Sequence, residues 1–229
     1  MKLPDILSEA RIDDAAKLVR KYYGKTFKDG LPRTGSRFDT WAGGGDKKEV
    51  ANRITADDIV AVSFLSIDFP PQAAIGLLDS HADKATEILE CIPANIDLAE
   101  VKGEDREALI GNESAAQKLW ELLRGTSASR WGVGPTTASK IRARKRPRLI
   151  PIYDSVVGPL MGLKDSAGQW NTWHEALAGD SPLPQRLTVI RELSGISEHI
   201  SNLRTMDVVL WMHGKNLGMG ANVDRHRLN

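Results

Sequence analysis

The chain has 229 residues, with 31 Lys and Arg against 30 Asp and Glu, a length that suits one large domain or two small ones. At 41% hydrophobic and 27% charged residues it has the apolar content to build a core, which excludes disorder throughout. Cys91 is the sole cysteine, which excludes a disulfide scaffold, a zinc ribbon and a four-cysteine iron–sulfur cluster.

No apolar run approaches the ~18 residues of a membrane span. The start, Met1-Lys2-Leu3-Pro4-Asp5, lacks the apolar centre of an export signal, so a cytoplasmic protein with no membrane partner is expected. In chain order, Ile6, Leu7, Ala10, Ala15, Leu18, Val19 and Tyr22 recur at helical spacing and predict a helix over 5–23. Gly24 and Gly30 end it, and 24–50 reads as loop, with Phe38, Trp41 and the Gly43–Gly45 run inside it. Thr55 is the expected N-cap of an apolar helix running towards Pro70. Further helices are predicted over 72–78, from Ser80 to Cys91, 103–110, 114–124, 136–144, 155–162, 170–177, 183–193 and 204–213. Cys91 reads as a buried thiol, and the residues from Gly214 onwards as a frayed end. No stretch alternates with period two, and no internal repeat is visible. The fold class expected is all-α. A single helical domain over 1–229, or two lobes over 1–110 and 111–229, both fit.

The net charge of +1 conceals an asymmetry. Between Glu121 and Asp154 there is no acid, while Arg124, Arg130, Lys140, Arg142, Arg144, Lys145, Arg146 and Arg148 all fall there. A local basic stretch on an otherwise acidic chain predicts a polyanion-binding patch. Its centre is Gly132-Val133-Gly134-Pro135-Thr136-Thr137-Ala138-Ser139. A Gly-Val-Gly turn before a helix presents backbone N–H groups and the positive end of the helix dipole to a phosphate. Pro135 suits the first helical position, where no N–H partner is needed.

This segment resembles the helix-hairpin-helix motif of the DNA glycosylase superfamily. Asp154 follows Gly134 by one helix and the apolar run Leu149–Tyr153, and it precedes Ser155-Val156-Val157, as the superfamily's essential aspartate does. The resemblance covers about 114–162. It implies an all-α fold, double-stranded DNA as partner, nucleoid association, no cofactor and a monofunctional base-excision activity. Thr136 stands where some members carry a lysine nucleophile, Pro159 where an arginine is frequent, and no cysteines are available for an iron–sulfur loop. The run Ala143–Pro151 also resembles an uncharacterised bacterial family, which implies no activity.

On this reading Asp154 is the catalytic carboxylate, stabilising the oxocarbenium-like sugar as the N-glycosidic bond breaks. The DNA backbone would contact Gly132, Val133, Gly134, Thr136, Thr137, Ser139, Lys140, Arg142 and Arg144. The extruded base needs aromatic faces, for which Tyr153, Trp131, Trp170, Trp173, Phe38 and Trp41 are candidates. Asp154 is equally readable as a helix cap. The alternative function is then a non-catalytic DNA-binding protein using the same hairpin and basic patch. His81, His174, His199, His213 and His226 have no metal-ligand spacing, so no metal is expected. No protein partner is inferable.

Overall fold

The helical periodicities resolve into eleven α-helices in the computed structural model, which describes residues 3–24, 26, 30, 31, 33–125 and 131–220. No β-strand occurs among these residues. The first expected helix is divided: single turns at Asp5–Leu7 and Glu9–Arg11 precede α1 (Ile12–Tyr22), because Ser8 is extended. Helix α2 (Ala56–Ser63) starts where Thr55 predicted it. The Thr55 N–H donates to Asp58 at 2.9 Å, and the Asp58 N–H donates to the Thr55 hydroxyl at 3.3 Å, a closed capping box. The helix stops well short of Pro70, and Ser66 turns with φ 58°.

Helix α3 (Pro71–Ile75) widens into a π turn at Gly76–Ser80, followed by α4 (Ala82–Glu90) and α5 (Gly103–Ile110). Cys91 is exposed rather than buried, since it lies beyond the last apolar turn of α4. Ser114 caps α6 (Ala115–Arg124), and Pro135 opens α7 (Pro135–Lys145). Then come α8 (Val157–Leu160), α9 (Gln169–Leu177), α10 (Leu183–Ser194) and α11 (Asn202–Asn216).

One apolar cluster runs from Ile6 to Met212 and includes residues on both sides of position 110, such as Leu89 and Leu119. Helix α1 packs on α10 and α11, α6 on α4 and α7, and α2 on α7. Gly214 is a buried helical residue, not part of a frayed end. A Cβ there would lie 2.4 Å from Val156, so glycine is what lets α11 approach α8. His226 lies outside the described residues.

The largest departure from the sequence reading is α7. Every residue from Thr137 to Lys145 is buried, and so is Arg146. Residues 140–146 of the basic stretch are therefore interior rather than spread over the surface, so the side chains of Lys140, Arg142 and Arg144 do not form the exposed patch expected from the sequence. Lys140, Arg144, Lys145 and Arg146 satisfy acceptors from distant segments. Arg144 donates to Asp58 (3.2 Å) and to the carbonyls of Phe38, Asp39 and Trp41. Lys145 donates to Asp58 (2.9 Å) and to the Val50 carbonyl (2.8 Å). Arg146, with no exposed surface, donates to the Ile92, Ala51 and Leu89 carbonyls and to the Asn52 side chain. A strand-poor chain with long loops leaves many carbonyls unpaired, and long cationic side chains supply the missing donors. At the margins, Arg124 donates to the Val133 carbonyl and Arg148 pairs with Asp97 at 3.0 Å, while Arg130 lies outside the described residues.

Candidate active site

Three segments of the chain bear on the candidate site; the second and third contribute to the wall of one cavity, and the first lies outside that wall. The first is the turn between α6 and α7. Gly132 has φ 82°, a left-handed conformation that favours glycine, and Gly134 is the extended N-cap of α7. A Cβ on Gly134 would meet nothing within 4 Å, so the outer side of this turn is open. The N–H groups that begin any helix have no partner within it, so those of Thr136 and Thr137 are available at that opening. Val133, Thr137 and Ser139 are buried, so their side chains are not presented to an external phosphate.

The second segment is 149–156. Ser139 fixes it to α7: its hydroxyl accepts from the Tyr153 N–H at 3.0 Å. That places Asp154, which accepts the Val156 N–H at 2.8 Å and faces Lys140 Nζ at 3.8 Å. The predicted helix over 155–162 shortens to the four residues of α8, and Asp154 caps the turn before it rather than the helix itself. Asp154 retains 16% side-chain exposure. Lys140 also donates to the Leu65 carbonyl at 3.1 Å.

The third segment is α11. Arg204 donates to both oxygens of Asp39 (2.9 and 3.2 Å), to Asp207 and to the Tyr22 hydroxyl (2.9 Å). Burial pushes the Asp207 carboxyl up to about 6; Arg204 opposes this and Asp154 adds to it. Burial likewise pushes the Tyr22 hydroxyl up to about 12, so it stays neutral while accepting from Arg204.

Asp154, Asp207, Lys140 and Arg204 all line one cavity of about 240 Å³. Its aromatic walls are Tyr22, Phe64 and Trp211, and Gly35 lies where a Cβ would strike the Tyr22 hydroxyl at 2.7 Å. None of the aromatic residues expected from the sequence lines it. Trp173 is fully buried core, and Trp170 covers the Arg142 guanidinium at 4.2 Å. Trp131 packs against Gly76 and donates to the Leu123 carbonyl at 2.7 Å. Tyr153 turns towards Gly158, Trp41 donates to Asp57, and Phe38 is buried beneath Arg204.

A family profile matches residues 15–214, a family of unknown function designated DUF6308. The chain belongs to this family. The matched region contains every residue of the cavity described above. Comparison with curated proteins gave no match, and comparison with solved structures gave none.

Sequence reasoning missed Asp207, Arg204, Tyr22 and Trp211. One signal was present: Asp207 is a lone acid between Met206 and Val208-Val209-Leu210, and an acid inside an apolar helical run needs a buried partner. Nothing in the sequence joins Tyr22 to Trp211, whose rings meet edge to face at 5.9 Å.

Proposed function

We propose that this protein hydrolyses an N-glycosidic bond, holding the base in the cavity beside Asp154, and that its substrate is a modified base in double-stranded DNA. The observation that carries this reading is the placement of Asp154. It was singled out by its separation from the Gly132–Gly134 turn, and it lies in the wall of an aromatic-lined cavity. The volume, about 240 Å³, falls below the ~300–1,000 Å³ of ordinary small-ligand pockets and suits one planar base.

The chemistry follows from two carboxyl groups in different environments. Asp154, partly solvated and beside Lys140, is the group placed to stabilise the oxocarbenium-like sugar. Asp207, held protonated to about pH 6 by burial, is suited to donate a proton as the base leaves. Tyr22, Phe64 and Trp211 offer faces or edges to the base. On this reading α6, the turn and α7 form a helix-hairpin-helix, and the open N-terminus of α7 takes a backbone phosphate.

The interior position of the cations favours a second substrate, a free nucleoside or other small N-glycoside, which needs no basic surface. The non-catalytic DNA-binding alternative is left with the turn alone.

Duplexes carrying uracil, oxidised guanine or alkylated adenine would be incubated with the protein and treated with hot alkali, beside free nucleosides assayed for released base. We expect alkali-dependent strand cleavage in at least one duplex, lost by about a hundredfold or more in Asp154→Asn. Base release from nucleosides alone would select the second reading. Release unchanged in Asp154→Asn would remove Asp154 from the chemistry.

A further inference from the structure

On the opposite side of α7, Arg142 differs from the other cations of that helix. It is as buried as Arg144 and Arg146, at 4% exposure. Those two are saturated with carbonyl and carboxylate acceptors, whereas the Nε and Nη2 of Arg142 are buried without a hydrogen-bond partner. No carboxylate among the described residues neutralises it, and burial pushes the guanidinium down to about 9, so it remains charged at neutral pH. Its compensation among the described residues is two indoles, with Trp170 at 4.2 Å and Trp120 at 5.0 Å from ring centroid to guanidinium carbon. The clasp leaves the guanidinium edge unused. A buried charge with an empty edge is expensive to keep unless something completes it.

Arg142 forms part of the wall of a separate cavity of about 380 Å³, bounded by α5, α6 and the turn before α9. A second arginine shares that wall: Arg106 donates to the Asn171 side chain at 2.6 Å, and its Nε is again buried without a partner. The acid in the wall, Glu107, is exposed, turns against Gly111 and pairs with neither arginine among the described residues. The Ser166–Gly168 turn brings the N-terminus of α9 to the same place, adding the positive end of a nine-residue helix.

We propose that this cavity is a binding site for the oxyanion group of a small organic ligand, a carboxylate or a phosphate, with Arg142 as its principal contact and Arg106 beside it. The Nε and Nη2 pair is the edge of a guanidinium that matches two oxygens of either group. Phosphate and carboxylate share this chemistry, and the cavity has room for an organic body besides the oxyanion. Lys140 and Arg142 are two positions apart on α7, about 200° around the helix, so the two cavities open on different faces. The site is therefore independent of the hydrolytic reading.

Succinate, inorganic phosphate and adenosine 5′-monophosphate would be titrated separately into the full chain at constant ionic strength, with tryptophan fluorescence and Tm as readouts. Seating an anion against the Trp120–Trp170 clasp perturbs both indoles. At least one probe is expected to give a saturable fluorescence change and a rise in Tm. Response to succinate alone assigns a carboxylate, and response to the two phosphates assigns a phosphoryl group. Arg142→Met, which keeps the shape between the indoles, should weaken binding about tenfold or more. Because it removes an uncompensated charge, it should leave the unliganded Tm no lower than that of the wild type. Arg106→Gln should weaken binding by a smaller factor. No saturable response to any probe, or an equal response in Arg142→Met, overturns the proposal. If Arg142→Met does not fold, undiminished binding in Arg106→Gln overturns it instead.

Discussion

Arg146 and Asp207 illustrate opposite ways of burying a charge. Arg146 has its donors taken up by carbonyls from three segments and by the Asn52 side chain, so its ionised form is hydrogen-bonded although no acid among the described residues pairs with it. Arg146→Leu would strand those carbonyls in the core, and we expect a loss on the order of 3–5 kcal/mol by urea denaturation. Asp207 is the reverse case, an acid for which burial outweighs its arginine partner. An aspartate in the unfolded chain releases its proton near 3.8, and the folded Asp207 only near about 6. Between those values the folded state holds the extra proton, so stability falls as pH rises from about 4 to about 6. Asp207→Asn should flatten that fall in denaturation curves measured at the two ends. Base release that depends on Asp207 as a proton donor should decline above about pH 6 in the wild type.

Helix α7 is where sequence reading and structure part. Its sequence has no apolar stripe, only small residues, Ile141 and cations, and periodicity assigns such a helix to the surface. In the structure it is central, because α2 and the loops around 38–52, 65 and 89–92 bring acceptors to Lys140, Arg144, Lys145 and Arg146, while Arg142 lies against two indoles. This changes the expected dependence on salt. If the protein binds duplex DNA through the α7 N-terminus, few phosphates are neutralised. The slope of log affinity against log salt should then be no steeper than about −2. A slope near −5 in a salt titration would mean that the cations of α7 reach phosphates, which their hydrogen bonds oppose. Asp58 is the reciprocal residue: it caps α2, accepts from Arg144 and Lys145, and so ties the start of one helix to the end of another.

For the whole molecule, a single apolar cluster crosses position 110, and α1 is packed between α10 and α11 from the far end of the chain. Contacts of such long sequence separation couple the two halves, so heat or urea should unfold the chain in one transition. Far-ultraviolet circular dichroism and tryptophan fluorescence should give coincident midpoints. Two separated transitions would mean that 1–110 and 111–229 fold as independent units. The Asp154 cavity depends on this closure, since Tyr22, Phe64, Lys140, Asp154 and Trp211 come from across the length of the chain.

The sequence by itself determined the helical class, most helix positions, the cap at Thr55, the helix start at Pro135, the Gly132–Gly134 turn and the interest of Asp154. Each of these is encoded within a few residues, in periodicity, side-chain oxygens at helix starts or glycine's access to positive φ. Only the tertiary structure decided which charges are inside, which rings surround Asp154, and that Arg142 stands beside a second cavity. Those properties belong to pairs such as Arg144 with Phe38 or Tyr22 with Trp211, whose members are far apart in the chain. A cation reads the same in sequence whether water or a buried carbonyl receives its proton donors, and only the packed chain supplies the carbonyl.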